Sequence, residues 1–308
     1  MTTRIAILGA TGHIGRALTD VYAARKGFEL SLFSRRPHET ARAYEGLSQV
    51  SHHDIGHLDL KNADIVVNAV GIGDPADVPI RGREIYQLTM EYEDRIEHAL
   101  RKNPGCLTVF ISSGAVYGKL DAPARADTPM IQPANAIVPA EWYGLSKVAA
   151  ELRHRAQTSR RVVDIRVFGF LSIHLDLNAQ YFMSSAYQAL LGGTLFSTTS
   201  GDMHRDYIGA VELAAIIDGA AGQHAVNTAV DTHTISPAGK FEILERLGQL
   251  GLKWQVSEQS TVAQERVWYS SEWRKAGQFG YSPKRSSVDV VEAVARELLA
   301  KQQAQGAS

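Results

Sequence analysis

The sequence predicts an α/β protein: a doubly wound parallel sheet with helices on both faces, followed by a smaller mixed α/β lobe. Two patterns carry that expectation. Through the first half, short β-rich apolar runs alternate with longer helical stretches, as successive βαβ units do. From residue 169 to 208 the alternation gives way to a stretch rich in Gly, Ser, Thr and Asn around a single helical segment.

The elements follow in order. The first strand, Arg4 to Leu8, opens into GATGHIG (Gly9 to Gly15) and a helical stretch from Arg16 to Lys26. A second strand, Leu30 to Ser34, is closed by Arg35, Arg36 and Pro37. A third covers about Gln49 to His53, and a fourth covers Ile65 to Val70. Arg83 to Lys102 has helical periodicity and is stopped by Pro104-Gly105. The fifth strand, Leu107 to Ser112, is apolar enough to lie in a sheet covered on both faces. Glu141 to Gln157 reads as helix from its Ala, Leu, Lys and Glu content, and Val162 to Phe168 as the sixth strand. Helices are then expected over 180–191, 211–221, 240–250 and 288–301, with short strands between. One domain is expected over 1–168, with segments near 205–235 returning to it, and the smaller lobe over most of 169–308.

Composition narrows the function classes. The 308 residues are 44% hydrophobic and 21% charged, as in ordinary globular proteins. A formal charge of −1 argues against nucleic acid or an anionic membrane as partner. No apolar run approaches the roughly 20 residues that span a bilayer. The first strand begins by Arg4, which leaves no room for a signal peptide, and Cys106 is the single cysteine. A cytoplasmic location is therefore expected.

Gly9, Gly12 and Gly15 sit between a strand and a helix. That place demands a tight turn, a backbone bare enough for a pyrophosphate, and close helix–strand packing. Free amides and the helix dipole then favour an anion, so Gly9, Thr11, Gly12, His13, Ile14 and Gly15 are expected to hold a dinucleotide in a Rossmann-type domain. The plain alternative is a glycine turn with no ligand. An NAD site usually has an Asp or Glu at the end of the second strand, where this chain has Ser34-Arg35-Arg36. A guanidinium pairs with phosphate as a fork, so these residues point to NADP, with NAD second. Two solvated arginines are the alternative. Asp54 and Ile55 are expected beside the adenine, and Asn68, Ala69, Val70 and Gly71 beside the nicotinamide ribose. Asp54 and Asn68 also suit plain loop-forming roles.

Tyr143 and Lys147 stand four apart on a predicted helix, hence on one face. A neighbouring ammonium favours phenolate and would bring a tyrosine from its usual pKa of about 10 toward neutrality. The same ammonium can hold the nicotinamide ribose. Alone, such a pair is common on solvated helix faces. Ser112-Ser113, at the carboxyl end of the fifth strand, lies where open parallel sheets bind ligands, and a hydroxyl there can orient a carbonyl for Tyr143.

The chain resembles the extended short-chain dehydrogenases/reductases of the nucleotide-sugar epimerase/dehydratase group. GATGHIG, Asp54-Ile55, SSGAVYG (112–118), YGLSK (143–147), Arg166-Val167-Phe168 and HRDYIGAVELA (204–214) occur in the order of that family. The resemblance implies a catalytic Ser113, Tyr143 as acid/base and Lys147 as its partner. It also implies a substrate pocket touched by Ser113, Gly114 and Ala115. Arg205 is expected on the substrate pyrophosphate, with a structural pairing to Asp206 or Asp202 as the alternative, and Arg266 matches another pyrophosphate arginine less closely. A homodimer through helices near 83–102 and 141–157 is implied as well.

Departures from the family narrow the chemistry. Its 4,6-dehydratases carry an acid two before the motif tyrosine, often with another before it; here stand Ala115 and Gly114. A cysteine used by some epimerase-reductases at the Ala115 position is missing, and the asparagine common after the sixth strand is replaced by Gly169 or Phe170. What remains needs one hydride and one proton. The expected function is NADP-dependent reduction of a nucleotide-linked keto sugar of the 4-keto-6-deoxyhexose type. A 4-epimerase with tightly held NAD is the alternative, a non-catalytic NADP sensor is the rival from another class, and a non-sugar ketone stays open. His52, His53 and His57 lack helical pairing and carboxylate partners, so no metal is expected. Trp142, Trp254, Trp268 and Trp273 are read as packing residues.

Overall fold

Alternation inside the first strand sets the layers of the fold. In β1 (Thr3–Leu8), Ile5 and Ile7 join one apolar cluster while Ala6 and Leu8 join another, the period of two of a strand covered on both faces. The computed structural model describes residues 2–72, 78–130, 135–257 and 267–306.

The central sheet takes in β1, β2 (Phe28–Ser34), β3 (Val50–Asp54), β4 (Ile65–Asn68), β5 (Leu107–Ser113), β6 (Arg161–Val167) and a seventh strand, Asn227–Asp231. Their order is β3-β2-β1-β4-β5-β6-seventh, with every neighbouring pair parallel. The chain winds outward one way from β1 and the other way from β4. The carboxyl ends of these two strands therefore flank the crevice where such sheets bind ligands. Among the described residues the sheet has seven strands rather than the six expected. Asn227–Asp231 is short, and its Asn-Thr opening hides it from a hydropathy reading.

One face is covered by α1 (His13–Ala23) and a later helix, Ala210–Ala221. Leu18 and Tyr22 meet Leu213, Ile216 and Ile217 over Ile5, Ile7, Val109 and Ile165. A short α2 (Pro37–Ala43) was not expected; Pro37 at its first turn supplies a preset φ and lacks only an amide that no carbonyl would have met. On the other face, α3 (Val78–Ala99), broken at Arg81, brings Tyr92 and Ile96 onto Leu8, Phe33 and Val66. It begins earlier than 83, and 3₁₀ geometry carries its end through Leu100–Lys102. Beside it lies α4 (Trp142–Ala156).

A third cluster belongs to the later part of the chain. Helices α5 (Phe182–Gly192), α6 (the Ala210–Ala221 helix), α7 (Lys240–Gly248) and α8 (Ser287–Gly306) follow in order, and α5, α7 and α8 bury Tyr187, Leu190, Leu244, Leu247, Val291 and Val294 together. Tyr187 lends its hydroxyl to the Val291 carbonyl at 2.9 Å, which satisfies the polar end of a fully buried ring. A fourth, small cluster of Val116, Tyr117, Leu120, Ala124 and Phe168, with Trp268 and Tyr269 against it, joins the sheet edge to this lobe. Trp254 packs on the cluster of α5, α7 and α8. No described helix is long and apolar enough to cross a membrane.

The contact between α4 and the sheet is polar. Lys147, Glu151 and His154 are all buried on one face of the helix. His154 sits between two carboxylates, 2.6 Å from Asp164 through Nδ1 and 2.7 Å from Glu93 through Nε2. Burial alone would lower its pKa, but the hydrogen bonds to Asp164 and Glu93 outweigh it and raise the imidazole to about 9.

A histidine ordinarily near 6.5 and held near 9 stabilises the fold fully below pH 6.5 and loses that contribution as pH rises through 9. The unfolding free energy of the wild type in urea, relative to His154→Gln, is expected to shrink between pH 6 and pH 9.5, by roughly 3 kcal/mol at most. A gap between the two proteins that does not change with pH would show that His154 is neutral.

Candidate active site

The glycine loop is shaped by its lack of side chains. Gly9 has φ +80°, and a Cβ there would stand 2.8 Å from the Ala69 carbonyl oxygen; at Gly15 it would stand 2.3 Å from the Gly9 oxygen. The Gly12 amide donates to that same Gly9 oxygen at 2.9 Å. The start of α1 has no side-chain cap and no acidic residue in its first turn, so its amides and dipole remain for an anion. Thr11 and Ile14 are partly buried and Gly12 is exposed. His13 leans edge-on against Phe170, 4.9 Å between centroids. Burial, with His174 nearby, lowers its pKa to about 4, and its buried Nε2 has no protein partner among the described residues. A bare cradle on an uncapped helix start fits the pyrophosphate of a nicotinamide dinucleotide.

The sheet register carries the other expected cofactor residues to the same edge, with Leu8 level with Phe33 and Asn68, and Ser34 level with Asp54. Ser34 is buried and its Oγ accepts from the Arg36 amide at 3.3 Å. Arg36 pairs with Glu39 at 2.8 Å, whereas Arg35 is exposed. Asp54 accepts from the Gly56 amide at 2.6 Å and shapes its own loop, and Ile55 is buried. Asn68 is also buried: it donates to Glu93 at 2.8 Å and accepts from the Val70 amide at 3.1 Å. Its side chain is thus spent on holding the Ala69–Gly71 loop rather than facing the crevice. A Cβ on Gly71 would lie 3.8 Å from Lys147 Nζ, which puts that ammonium beneath the loop.

Ser113, Tyr143 and Lys147 meet at the end of β5. Lys147 Nζ donates to the Ile111 carbonyl at 2.9 Å and lies 5.6 Å from the Tyr143 ring centroid. Burial lowers Lys147 to about 8 against the pull of Glu93, Glu151 and Asp164. The expected acidification of Tyr143 by Lys147 is not found. Burial, with Tyr269 nearby, pushes Tyr143 up to about 12, and hydrogen bonding with Ser113 only partly offsets this. The physical reason is that the ammonium is spent on a backbone carbonyl while the phenol is taken from water.

A buried charged layer supports the cluster. Ser112 donates to Glu151 at 2.6 Å, and Arg166 grips the same carboxylate at 2.6 Å through Nη2. Arg166 Nη1 reaches the Tyr117 hydroxyl at 2.7 Å, and Tyr117 donates to Asp231 at 2.9 Å. Burial raises Asp231 to about 6 despite Ser271, Arg166 and Tyr117 beside it. Gly114 leaves room for the Phe168 ring, which a Cβ would meet at 2.5 Å, and Ala115 is buried.

From the later lobe, the strand Trp268–Tyr269 pairs with His204–Arg205 and brings two aromatic rings to this edge. Trp268 stacks on His204 at 4.1 Å, and the Arg205 guanidinium lies 5.8 Å from the Tyr269 ring centroid. Asp206 turns inward to Thr234 and Ser287, and Asp202 accepts from the amides of Met203 and Lys240. Arg266 lies outside the described residues. Tyr269 was not anticipated: its hydroxyl is 2.8 Å from Ser113 Oγ across 156 residues of chain, and no local motif marks it. His154 and the Glu151–Arg166 pair were also missed, although the spacing 143, 147, 151, 154 was visible as one helix face. Among the described residues no group of three or more His, Cys, Asp or Glu could hold a metal ion.

A model of the NAD dependent epimerase/dehydratase family matches residues 5–231. No curated protein sequence matches the chain. Among solved structures, UDP-glucuronic acid 4-epimerase from Bacillus cereus, in complex with UDP-glucuronic acid and NAD, superposes with a TM-score of 0.79 at 16% identity, covering 97% of this chain and 99% of that one. UDP-glucose 4-epimerase from Thermotoga maritima, with UDP-glucose, gives 0.78 at 14% identity over 98% and 100% of the two chains. The dTDP-glucose 4,6-dehydratase of Bacillus anthracis, with NAD, gives 0.75 at 13% identity over 98% of each. At such identities the likeness shows the fold.

A methyl group at Gly15 has to displace the Gly9 backbone. Gly15→Ala is expected to cost about 1–3 kcal/mol of stability and to abolish NAD(P)H binding, followed by nucleotide fluorescence. Gly105→Ala, where a Cβ meets nothing within 4 Å, is the control and is expected to change stability by less than about 0.5 kcal/mol.

Proposed function

The chain belongs to the NAD dependent epimerase/dehydratase family, and on that premise we propose that it is an NADP-dependent reductase of a nucleotide-linked keto sugar, of the 4-keto-6-deoxyhexose type. The observation that carries this reading is Ser113, Tyr143 and Lys147 gathered at the carboxyl edge of the sheet, beside a loop fit for a dinucleotide.

The nicotinamide supplies hydride when bound; the residues do the rest. Tyr143, held near 12, is protonated at neutral pH and so is ready to give its proton to the oxygen of a carbonyl being reduced. Ser113 favours the ionised form of Tyr143 and so eases the loss of that proton. Lys147, beneath Gly71, is placed to hold the nicotinamide ribose. Arg35, exposed at the end of β2 where no carboxylate stands, supports a 2′-phosphate, and so NADP. Arg36 is a weaker candidate because Glu39 already engages it. Arg205, presented beside Tyr269, is the proposed contact for the substrate pyrophosphate. Elimination of water in this family uses an acid two residues before the motif tyrosine, often with another before it, and Ala115 and Gly114 offer none.

The second reading is a nucleotide-sugar 4-epimerase, favoured by the likeness to 4-epimerases that bind UDP-sugars. It uses the same three residues and differs in retaining its cofactor. A two-fold dimer and a cytoplasmic location accompany either reading as proposals.

Denaturing the purified protein and titrating the emptied enzyme separates the two. The reductase is expected to release little cofactor and to prefer NADPH, with Arg35→Ala weakening NADPH about tenfold or more and leaving NADH unchanged. Stoichiometric release of NAD would support the epimerase instead. Tyr143→Phe is expected to lower turnover on the order of a hundredfold or more; near wild-type rates would remove Tyr143 from its role.

A further inference from the structure

The short loop after β4 lies between the two halves of the candidate cofactor site. On one side it abuts the glycine cradle: a Cβ on Gly9 would stand 2.8 Å from the Ala69 carbonyl oxygen and 3.1 Å from the Val70 nitrogen. On the other it covers Lys147, whose Nζ would lie 3.8 Å from a Cβ on Gly71. The Ala69 amide donates to the Leu8 carbonyl at 3.1 Å, and the Val70 amide donates to Asn68 Oδ1 at the same distance. The loop is therefore anchored to the Asn68 side chain, and that side chain is fixed from α3. Asn68 Nδ2 donates to Glu93 Oε1 at 2.8 Å, and Glu93 Oε2 lies 2.7 Å from His154 Nε2 on α4. All three residues are buried. His154, a cation at neutral pH, donates through both ring nitrogens, so the Glu93 carboxylate is pinned at both oxygens.

We propose that Glu93 is a positioning residue for the cofactor: it holds the Asn68 side chain, and through it the Ala69–Gly71 loop, in the shape that a nicotinamide dinucleotide meets between the glycine cradle and Lys147. Stability does not account for a carboxylate at this place, because exchanging buried ions for well-packed apolar residues is often neutral or stabilising. Its placement does: one oxygen faces the end of β4 and the other faces α4, the helix that bears Tyr143 and Lys147. Glu93 also heads the three carboxylates whose charge opposes the effect of burial on Lys147, so it is coupled to both walls of the site. Glu97, one turn further along α3, is the contrast within the same helix. It too bridges to α4, but its partners are Arg153 and Gln157 rather than the loop.

This rests on the dinucleotide site of the reading above, and its first arm needs no ligand. In the free protein, hydrogen exchange of the 69–71 amides is expected to quicken about fivefold or more in Glu93→Met, as the loss of one hydrogen bond does, and to stay within about twofold of wild type in Glu97→Gln. The second arm is the Kd for NADPH or NADH, whichever the wild type binds more tightly, followed by nucleotide fluorescence. Glu93→Met is expected to weaken binding about tenfold. Glu93→Gln, which can still accept from Asn68 and donate to a neutral His154, is expected to stay within about threefold of wild type. Asn68→Ala cuts the same link while leaving Glu93 on His154, so it reads the loop even where Glu93→Met fails to fold. A comparable loss is expected, with Glu93→Met/Asn68→Ala no weaker than the weaker single variant. Unchanged exchange and affinity in Glu93→Met or Asn68→Ala, additive losses in the double variant, or a Glu93→Gln as impaired as Glu93→Met overturn the proposal. A wild type that prefers NADH contradicts the NADP reading alone, and one that binds neither nucleotide contradicts the dinucleotide site. In both cases the exchange arm still decides whether Glu93 holds the loop.

Discussion

Lys147, Glu151 and His154 lie buried on one face of α4, pressed against β5 and β6, and the arrangement of the site depends on how their charges are met. Each has a partner in the layer: the Ile111 carbonyl for Lys147, Ser112 and Arg166 for Glu151, Asp164 and Glu93 for His154. Ions taken out of water are costly unless their geometry is well satisfied, and such a layer adds little net stability over an apolar one. Its effect is positional. The helix can slide or turn only by breaking several charged hydrogen bonds at once, so Tyr143, one turn before Lys147, is delivered to a single place beside Ser113.

The same layer ties the candidate cofactor edge to the helix. Glu93 of α3 bonds His154 on one oxygen and Asn68 on the other, and Asn68 in turn receives the Val70 amide. The loop after β4 is thus held by a chain of polar contacts that begins under α4. On the far side, Arg166 passes from Glu151 to Tyr117, and Tyr117 to Asp231 on the seventh strand. Four strands and two helices share one buried polar seam, while the apolar clusters on α1, α6 and the later lobe supply the hydrophobic burial.

The position of Tyr269 shows how the later lobe takes part. Its clusters are largely its own, yet the small group of Val116, Tyr117 and Phe168 with Trp268 and Tyr269 crosses to the sheet edge. The proposed substrate site between sheet and lobe would have one wall of backbone loops and one of aromatic side chains.

Much of the plan is legible in the sequence because it depends on local pattern. Apolar runs of period two separated by helical stretches specify a parallel sheet, and parallel connections leave few topologies open. Glycines at 9, 12 and 15 declare a turn that no side chain would fit, and a spacing of four declares that Tyr143 and Lys147 share a face. Other features have no local signature. The seventh strand is recognisable only once β6 offers it an edge, and α2 only once Pro37 is seen starting a turn. The titration of Tyr143 was misjudged from spacing, since four residues along a helix set a neighbour but not the burial around it, and burial outweighs the neighbour here. Where Lys147 spends its proton donors, which carboxylates flank His154, and that a tyrosine 156 residues away meets Ser113 are decided by tertiary structure alone, because they depend on which elements are brought together and on how much water is left between them.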